Sequence, residues 1–228
     1  VTTVLISVPI AEMIFVTIAT LYGGSIRLTT PMLWALAFVA EFLIGGVTGI
    51  YLGSSGSDIY FHDTYFVLAH FHYTFVPIAI IATFAGVTFW FPKMFGKMLD
   101  EKLGKLHFWT TIIPFNFIFI PLFITGAAGD HRRIHDYRQF PDLARADLQN
   151  LRMIATIATV AMLAAQVIFF YNFFKSMKSG KRAGNNPWNA NTLEWAAASP
   201  PPHGNFEVLP SVYRGPYEYS VPGRESDF

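Results

Sequence analysis

Five stretches of apolar sequence, each long enough to cross a bilayer, constrain this chain more than any other feature. A helix needs about 20 residues to span the hydrocarbon core. The stretches run over Val1–Tyr22, Pro31–Leu52, Tyr65–Phe91, Leu106–Ala128 and Leu151–Phe174. Lipid offers backbone amides no hydrogen-bond partners, so runs of this length are expected to be helices. Their Gly, Pro and Thr residues suit membrane helices, where neighbouring helices satisfy freed backbone groups. Only 14% of residues are charged and 53% are hydrophobic, against about 25% charged in soluble domains. The expected fold class is all-α, a polytopic transmembrane helical bundle.

Charge and composition exclude several kinds of chemistry. A net charge of +1 leaves no electrostatic footprint for a nucleic-acid partner. The chain has no cysteine, which rules out disulfides, thiolate metal sites and cysteine nucleophiles. Any metal is left to His, carboxylate or main-chain ligands. Val1 opens inside an apolar run without Met or a basic n-region, so that run reads as a membrane span and not a signal peptide. On this reading the chain is a fragment or one piece of a split polypeptide.

Basic residues set the expected orientation. With alternating helices, Arg27, Lys93, Lys97, Lys102, Lys105, Lys175, Lys178, Lys181 and Arg182 fall on one side. That side is assigned to the cytoplasm of a bacterial inner membrane. In the opposite loops, 53–64 and 129–150, acidic residues match or outnumber basic ones. Two regions result: a transmembrane region over 1–184, and a Pro-, Asn-, Gly- and Tyr-rich extended tail over 185–228 on the cytoplasmic face.

The third span opens His62-Asp63-Thr64-Tyr65-Phe66-Val67-Leu68-Ala69-His70-Phe71-His72-Tyr73. Ionisable residues are costly inside a membrane helix and mark functional sites. Positions i and i+2 on a helix differ by about 200° of rotation, so His70 and His72 point to opposite faces. They cannot chelate one metal as i, i+4 histidines do. Each can instead ligate its own cofactor, and haem fits because one neutral imidazole supplies an axial bond. The competing reading is two histidines hydrogen-bonded to neighbouring helices; it suits a lone His better than a pair at this spacing. Arg132 and Arg133 follow the fourth span on the same side as His62. An arginine fork binds carboxylates bidentately, while a solvated basic cluster accounts for the pair equally well on sequence alone.

The run His62–Tyr73 resembles the signature of cytochrome c oxidase subunit I in the haem–copper oxidase superfamily. Gly23-Gly24-Ser25-Ile26-Arg27, Thr29-Thr30-Pro31, Phe89-Trp90-Phe91-Pro92, Asn185–Trp195 and Pro200-Pro201-Pro202-His203 are similar to bacterial oxidase subunit I as well. The resemblance implies a high-spin haem on His70, a low-spin haem on His72, and electron passage past Phe71. It implies a magnesium (or manganese) site at His62 and Asp63, and haem propionates on Arg132 and Arg133. The five spans then match the last five of twelve core helices. The second low-spin ligand and the histidines that hold copper lie upstream, so copper is implied by the family alone. The expected partners are the remaining part of subunit I, other oxidase subunits, a cytochrome c-type donor and the lipid bilayer.

The first span departs from this family. Where such oxidases read Pro-Thr-Gly-Val-Lys, this chain reads Pro9-Ile10-Ala11-Glu12-Met13. Methionine carries no proton, so the family's proton path through that Lys cannot run in its usual form. Glu12 is open to three readings: a proton relay, a carboxylate near a non-haem iron in place of copper, or a group facing a neighbouring subunit or polar pocket. A second departure, Asp130-His131, replaces the common Met-Pro. The expected function is respiratory reduction of O2 to water. Reduction of NO to N2O is the alternative, because a non-pumping relative tolerates the Met13 and Glu12 changes. A non-catalytic membrane subunit agrees less well with the retained His and Arg set.

Overall fold

The computed structural model describes residues 2–211, and seven α-helices run through them. These are α1 (Thr2–Leu21), α2 (Thr30–Gly53), the short α3 (Ser55–Phe61), α4 (Tyr65–Val76), α5 (Ala82–Phe95), α6 (Glu101–Ala127) and α7 (Ala146–Ser179). A π-helical turn, Pro77–Ile81, joins α4 to α5. Five helical segments are long and apolar enough to span a membrane, with α4 to α5 counting as one. The chain is a polytopic helical bundle of an integral membrane protein.

The apolar runs locate these helices, but several helices outrun them. Helix α6 starts at Glu101, five residues before the apolar run begins, and α7 extends from Ala146 to Ser179. Hydrophobicity marks the part of a helix in lipid, whereas backbone hydrogen bonding continues into the aqueous layer. Glu101 shows why: its carboxylate accepts from the Thr30 amide at 2.9 Å and the Thr30 hydroxyl at 3.0 Å. This ties the start of α6 to the start of α2. The third span also deviates from one regular helix. Pro77 has no N–H and its ring crowds the carbonyl four residues back, and the helix responds with a π turn in which Ala82 N–H bonds the Pro77 carbonyl.

The described residues form two compact units: the residues up to Gly86 with Glu101–Phe169, and Val87–Asp100 with the residues from Phe170 onward. In the first, α4 packs against both α2 and α6. Backbones approach closely where glycine removes the side chain. A Cβ on Gly45 would collide with the Tyr73 carbonyl, one on Gly49 with the His70 ring, and one on Gly126 with the Phe66 backbone. One buried cluster joins Ala69, Tyr73, Phe115, Ile118, Phe119 and Ala158. A second gathers Leu33, Ala37, Ile81 and Phe108 around the fully buried Trp34. By contrast, α1 buries only Ile14 and leaves Val8, Met13 and Phe15 exposed.

The second unit is organised by Lys93. Its ammonium donates to the carbonyls of Asn185 (3.0 Å) and Ala197 and to the Ser199 hydroxyl (3.0 Å), and lies over the Trp195 ring. Trp188 donates its indole N–H to the Phe89 carbonyl at 2.8 Å. The expected tail over 185–228 has one 3₁₀ turn, Leu193–Trp195, within its described part. Its residues 212–228 lie outside the described residues.

Candidate functional site

His70 and His72 project from α4 against different helices. His70 Nδ1 lies 3.0 Å from the Gly45 carbonyl and 3.2 Å from Thr48 Oγ1, both on α2. His72 stacks on Phe119 of α6, with ring centroids 4.4 Å apart. Its Nδ1 lies 2.8 Å from the Leu68 carbonyl, one turn back on its own helix. A carbonyl oxygen only accepts, so both Nδ1 atoms carry the hydrogen, and this assignment rests on those partners. Each Nε2 then keeps its lone pair. A second nitrogen fixed by a hydrogen bond is what orients a metal-ligating imidazole. Both rings therefore meet the chemical requirement of an axial haem ligand, and on opposite faces they meet it separately. Phe71 between them is 51% exposed, edge-on to His72 and stacked with Phe75.

The start of α4 is strapped to the loop after α6. Thr64 caps the helix, its hydroxyl accepting from Phe66 N–H at 3.2 Å. Tyr65 N–H donates to the Asp130 carbonyl at 3.0 Å, and Arg132 N–H to the Asp63 carbonyl at 2.9 Å. Side chains reinforce the strap: Arg132 Nε and one terminal nitrogen both donate to Asp63 Oδ1, at 2.9 and 2.6 Å. The Arg132 guanidinium holds the Asp63 carboxyl below the usual carboxylate range. Asp63 and Arg133 both adopt left-handed backbone, φ 56 and 68, which costs a non-glycine residue about 1–3 kcal/mol. Arg133 is exposed and makes no hydrogen bond or ion pair with a described residue.

His62 Nε2 lies 3.7 Å from Asp63 Oδ2. Among the described residues no group of three or more His, Asp or Glu side chains is arranged to hold a metal ion. His62 and Asp63 can therefore supply only part of a cation site. Glu12 is exposed on α1 and makes no hydrogen bond or ion pair with a described residue. The structure thus brings His62, Asp63 and Arg132 together, sets His70 and His72 back to back, and leaves Glu12 apart.

Three buried polar groups were not anticipated from the sequence. Asp130 is 1% exposed and pairs with Arg152 Nε of α7 at 2.8 Å. Arg152 also donates to the Leu143 carbonyl and lies over the Tyr137 ring. His107, inside α6, contacts Gln166 at 3.1 Å and is enclosed by Trp34, Phe84 and Phe169. Glu41, in the middle of α2, accepts from Asn116 at 2.7 Å, and Asn116 accepts from Tyr73 at 2.8 Å. A carboxylate inside the second apolar span was the available signal for Glu41. The Asp130–Arg152 pair had none, because its partner sits in a different element.

Spanning helices with two back-to-back imidazoles, and an arginine strap at one end, define a polytopic membrane protein with polar groups set among its helices. A family model described as Cytochrome C and Quinol oxidase polypeptide I matches residues 1–163. Cytochrome c oxidase subunit 1 of Thermostichus vulcanus is 40% identical over 225 residues, covering 99% of this chain and 40% of that protein. The protein of the same name from Synechocystis is 43% identical over 220 residues, 96% of this chain and 39% of its own length. Quinol oxidase subunit 1 of Bacillus subtilis is 42% identical over 215 residues, 93% of this chain and 32% of its own length. The chain belongs to the cytochrome c and quinol oxidase polypeptide I family, the subunit I region of the haem–copper oxidase superfamily. It spans well under half the length of these curated relatives.

Proposed function

We propose that this chain is the C-terminal, haem-holding part of the catalytic subunit of a respiratory oxidoreductase in a bacterial inner membrane. The complete enzyme passes electrons from a cytochrome c-type donor, by way of a low-spin and a high-spin haem beside a second metal, to O2, which it reduces to water. The observation that carries this reading is the pair of Nε2 lone pairs set on opposite faces of α4 by the Gly45 and Leu68 carbonyls. His70 holds the high-spin haem and His72 the low-spin haem, with Phe71 between the two. Bound haem iron supplies the redox chemistry. The chain's own residues fix the imidazoles, exclude water with the aromatic packing around His72, and position anion-binding groups at the end of α4.

Arg132 and Arg133 are assigned to haem propionates. Asp63 takes Nε and one terminal nitrogen of Arg132, which orients its other terminal nitrogen for a second anion. Arg133 makes no hydrogen bond with a described residue, which leaves its guanidinium available to an anion. Replacing either Arg by Leu is expected to shift a haem midpoint potential in redox titrations of the complex, and no shift in either variant refutes the assignment. His62 and Asp63 supply two ligands of a magnesium (or manganese) site, with the rest coming from beyond the described residues. The partners are the upstream helices of subunit I, other oxidase subunits and lipid, and residues 185–228 lie on the cytoplasmic face.

Quinol is an alternative donor, because relatives of comparable identity are named for either donor. A second reading, reduction of NO to N2O, is favoured by one observation: Met13 and Glu12 stand where oxidases carry the proton-path segment with its Lys. Glu12 is then the catalytic carboxylate beside a non-haem iron. Metal analysis of the intact complex, with O2 and NO consumption measured on the same donor, separates the two. Copper with fast O2 uptake, little changed by Glu12→Gln, is the expected result. Non-haem iron without copper at that centre, with NO turnover lost in Glu12→Gln, establishes the second reading.

A further inference from the structure

Glu41 is 5% exposed in the middle of a membrane-spanning helix. Helices α2, α4 and α6 each contribute one residue to its network. Tyr73 hydroxyl donates to Asn116 Oδ1, and Asn116 Nδ2 donates to Glu41 Oε1. The amide orientation follows from a second bond, Asn116 Nδ2 to the Ile112 carbonyl at 3.1 Å, since that oxygen only accepts. The bonds from Tyr73 to Asn116 and from Asn116 to Glu41 therefore both donate in the direction of Glu41. Oε1 is an acceptor in either protonation state, and Oε2 is buried with no partner among the described residues. Besides Glu41 itself, Tyr73 is the one titratable side chain in this network among the described residues, and no described cation pairs with Glu41.

The orphan oxygen constrains the occupant. An ionised Oε2 needs a donor, and a protonated one needs an acceptor. A water molecule supplies both. A hard cation needs about six to eight oxygen ligands, and no cluster of acidic or His side chains accompanies Glu41 among the described residues. The site also adjoins the ligand helix. Tyr73 directly follows His72, and Glu41 lies four residues before Gly45, whose carbonyl takes the His70 hydrogen.

We propose that Glu41 is a proton-holding site within the membrane. Its Oε2 takes a proton from an adjacent hydronium, forming O–H and leaving water, and returns the proton by the reverse step. Asn116 and Tyr73 orient the carboxyl without giving up their own protons. Coupling to redox state rests on the haem assignment made above. One electron delivered by the donor to the haem region makes the local field more negative and favours the protonated acid; reoxidation releases the proton.

Infrared difference spectra of the intact complex, oxidised against reduced, test this. The expected result is a carbonyl band of a protonated carboxyl that shifts in D2O and is lost in Glu41→Gln, with both haem optical signals retained. No such band in the wild type, or its persistence in Glu41→Gln, overturns the proposal while the haem assignment stands. Absence of the haem signals from the wild-type complex fails the haem assignment instead. Should Glu41→Gln not assemble, Asn116→Ala removes the donor to Oε1 and moves the band to higher frequency; an unmoved band overturns the proposal.

Discussion

Substitution of His72 by alanine is expected to abolish the low-spin haem signal of the complex while the subunit still inserts and assembles. The packing of α4 explains why assembly survives. Its contacts with α2 and α6 run through Ala69, Tyr73 and the glycine approaches at Gly45 and Gly126. His72 adds one stacked ring on Phe119 and a hydrogen bond to its own helix. Removing it forfeits about 0.5–1.5 kcal/mol of ring pairing, far less than the helix interface supplies. On the proposed assignment the haem loses an iron ligand outright. Loss of a group merely hydrogen-bonded to a metal ligand typically costs about 10–100-fold in affinity or activity, and loss of the ligand exceeds that. Optical and EPR spectra, with turnover on the same sample, check the outcome. An unchanged low-spin spectrum would falsify the assignment of His72. Alanine at His70 is expected to spare that spectrum and remove the high-spin signal.

The largest structural effect is expected at Asp130. Its carboxylate is 2% exposed and faces Arg152, itself only 14% exposed. Alanine there strands a charge with one carbonyl and an aromatic face for company. Breaking a buried pair from one side costs about 3–5 kcal/mol. Because the Asp130 backbone also receives the Tyr65 amide, loosening this corner disturbs the start of α4 and the Arg132–Asp63 strap. Thermal denaturation of the complex, followed by loss of haem absorbance, is expected to shift clearly downward for Asp130→Ala. Replacing both partners, Asp130→Ala with Arg152→Leu, recovers much of the loss because no buried charge is left alone. A single variant as stable as the wild type shows that Arg152 finds solvent or another anion. The pair also accounts for Asp130 standing where the resembling oxidases carry Met: the carboxylate belongs to an ion pair inside this fold.

What the sequence determined on its own is local. Apolar runs of spanning length set five membrane helices, because lipid leaves the backbone no other way to satisfy its amides. The i, i+2 spacing of His70 and His72 set them on opposite faces, because helical rotation depends on nothing outside the helix. The run around them was specific enough to indicate the family before any tertiary contact was known. Pro77 was visible too, but its consequence was not: whether a membrane helix kinks, breaks or takes up a π turn depends on its neighbours.

Tertiary structure decided the partners. That the Gly45 carbonyl sets the His70 tautomer, and that Asp63 occupies part of the Arg132 fork, follows from elements meeting across 25 and 69 residues of sequence. Asn116 lies 75 residues from Glu41 and 43 from Tyr73, so their network has no periodicity to detect. The same holds for Asp130 and Arg152, whose meeting depends on the turn between α6 and α7. A polar side chain in an apolar span announces that it needs a partner, because desolvation is costly. Which partner it finds is settled only when the helices pack.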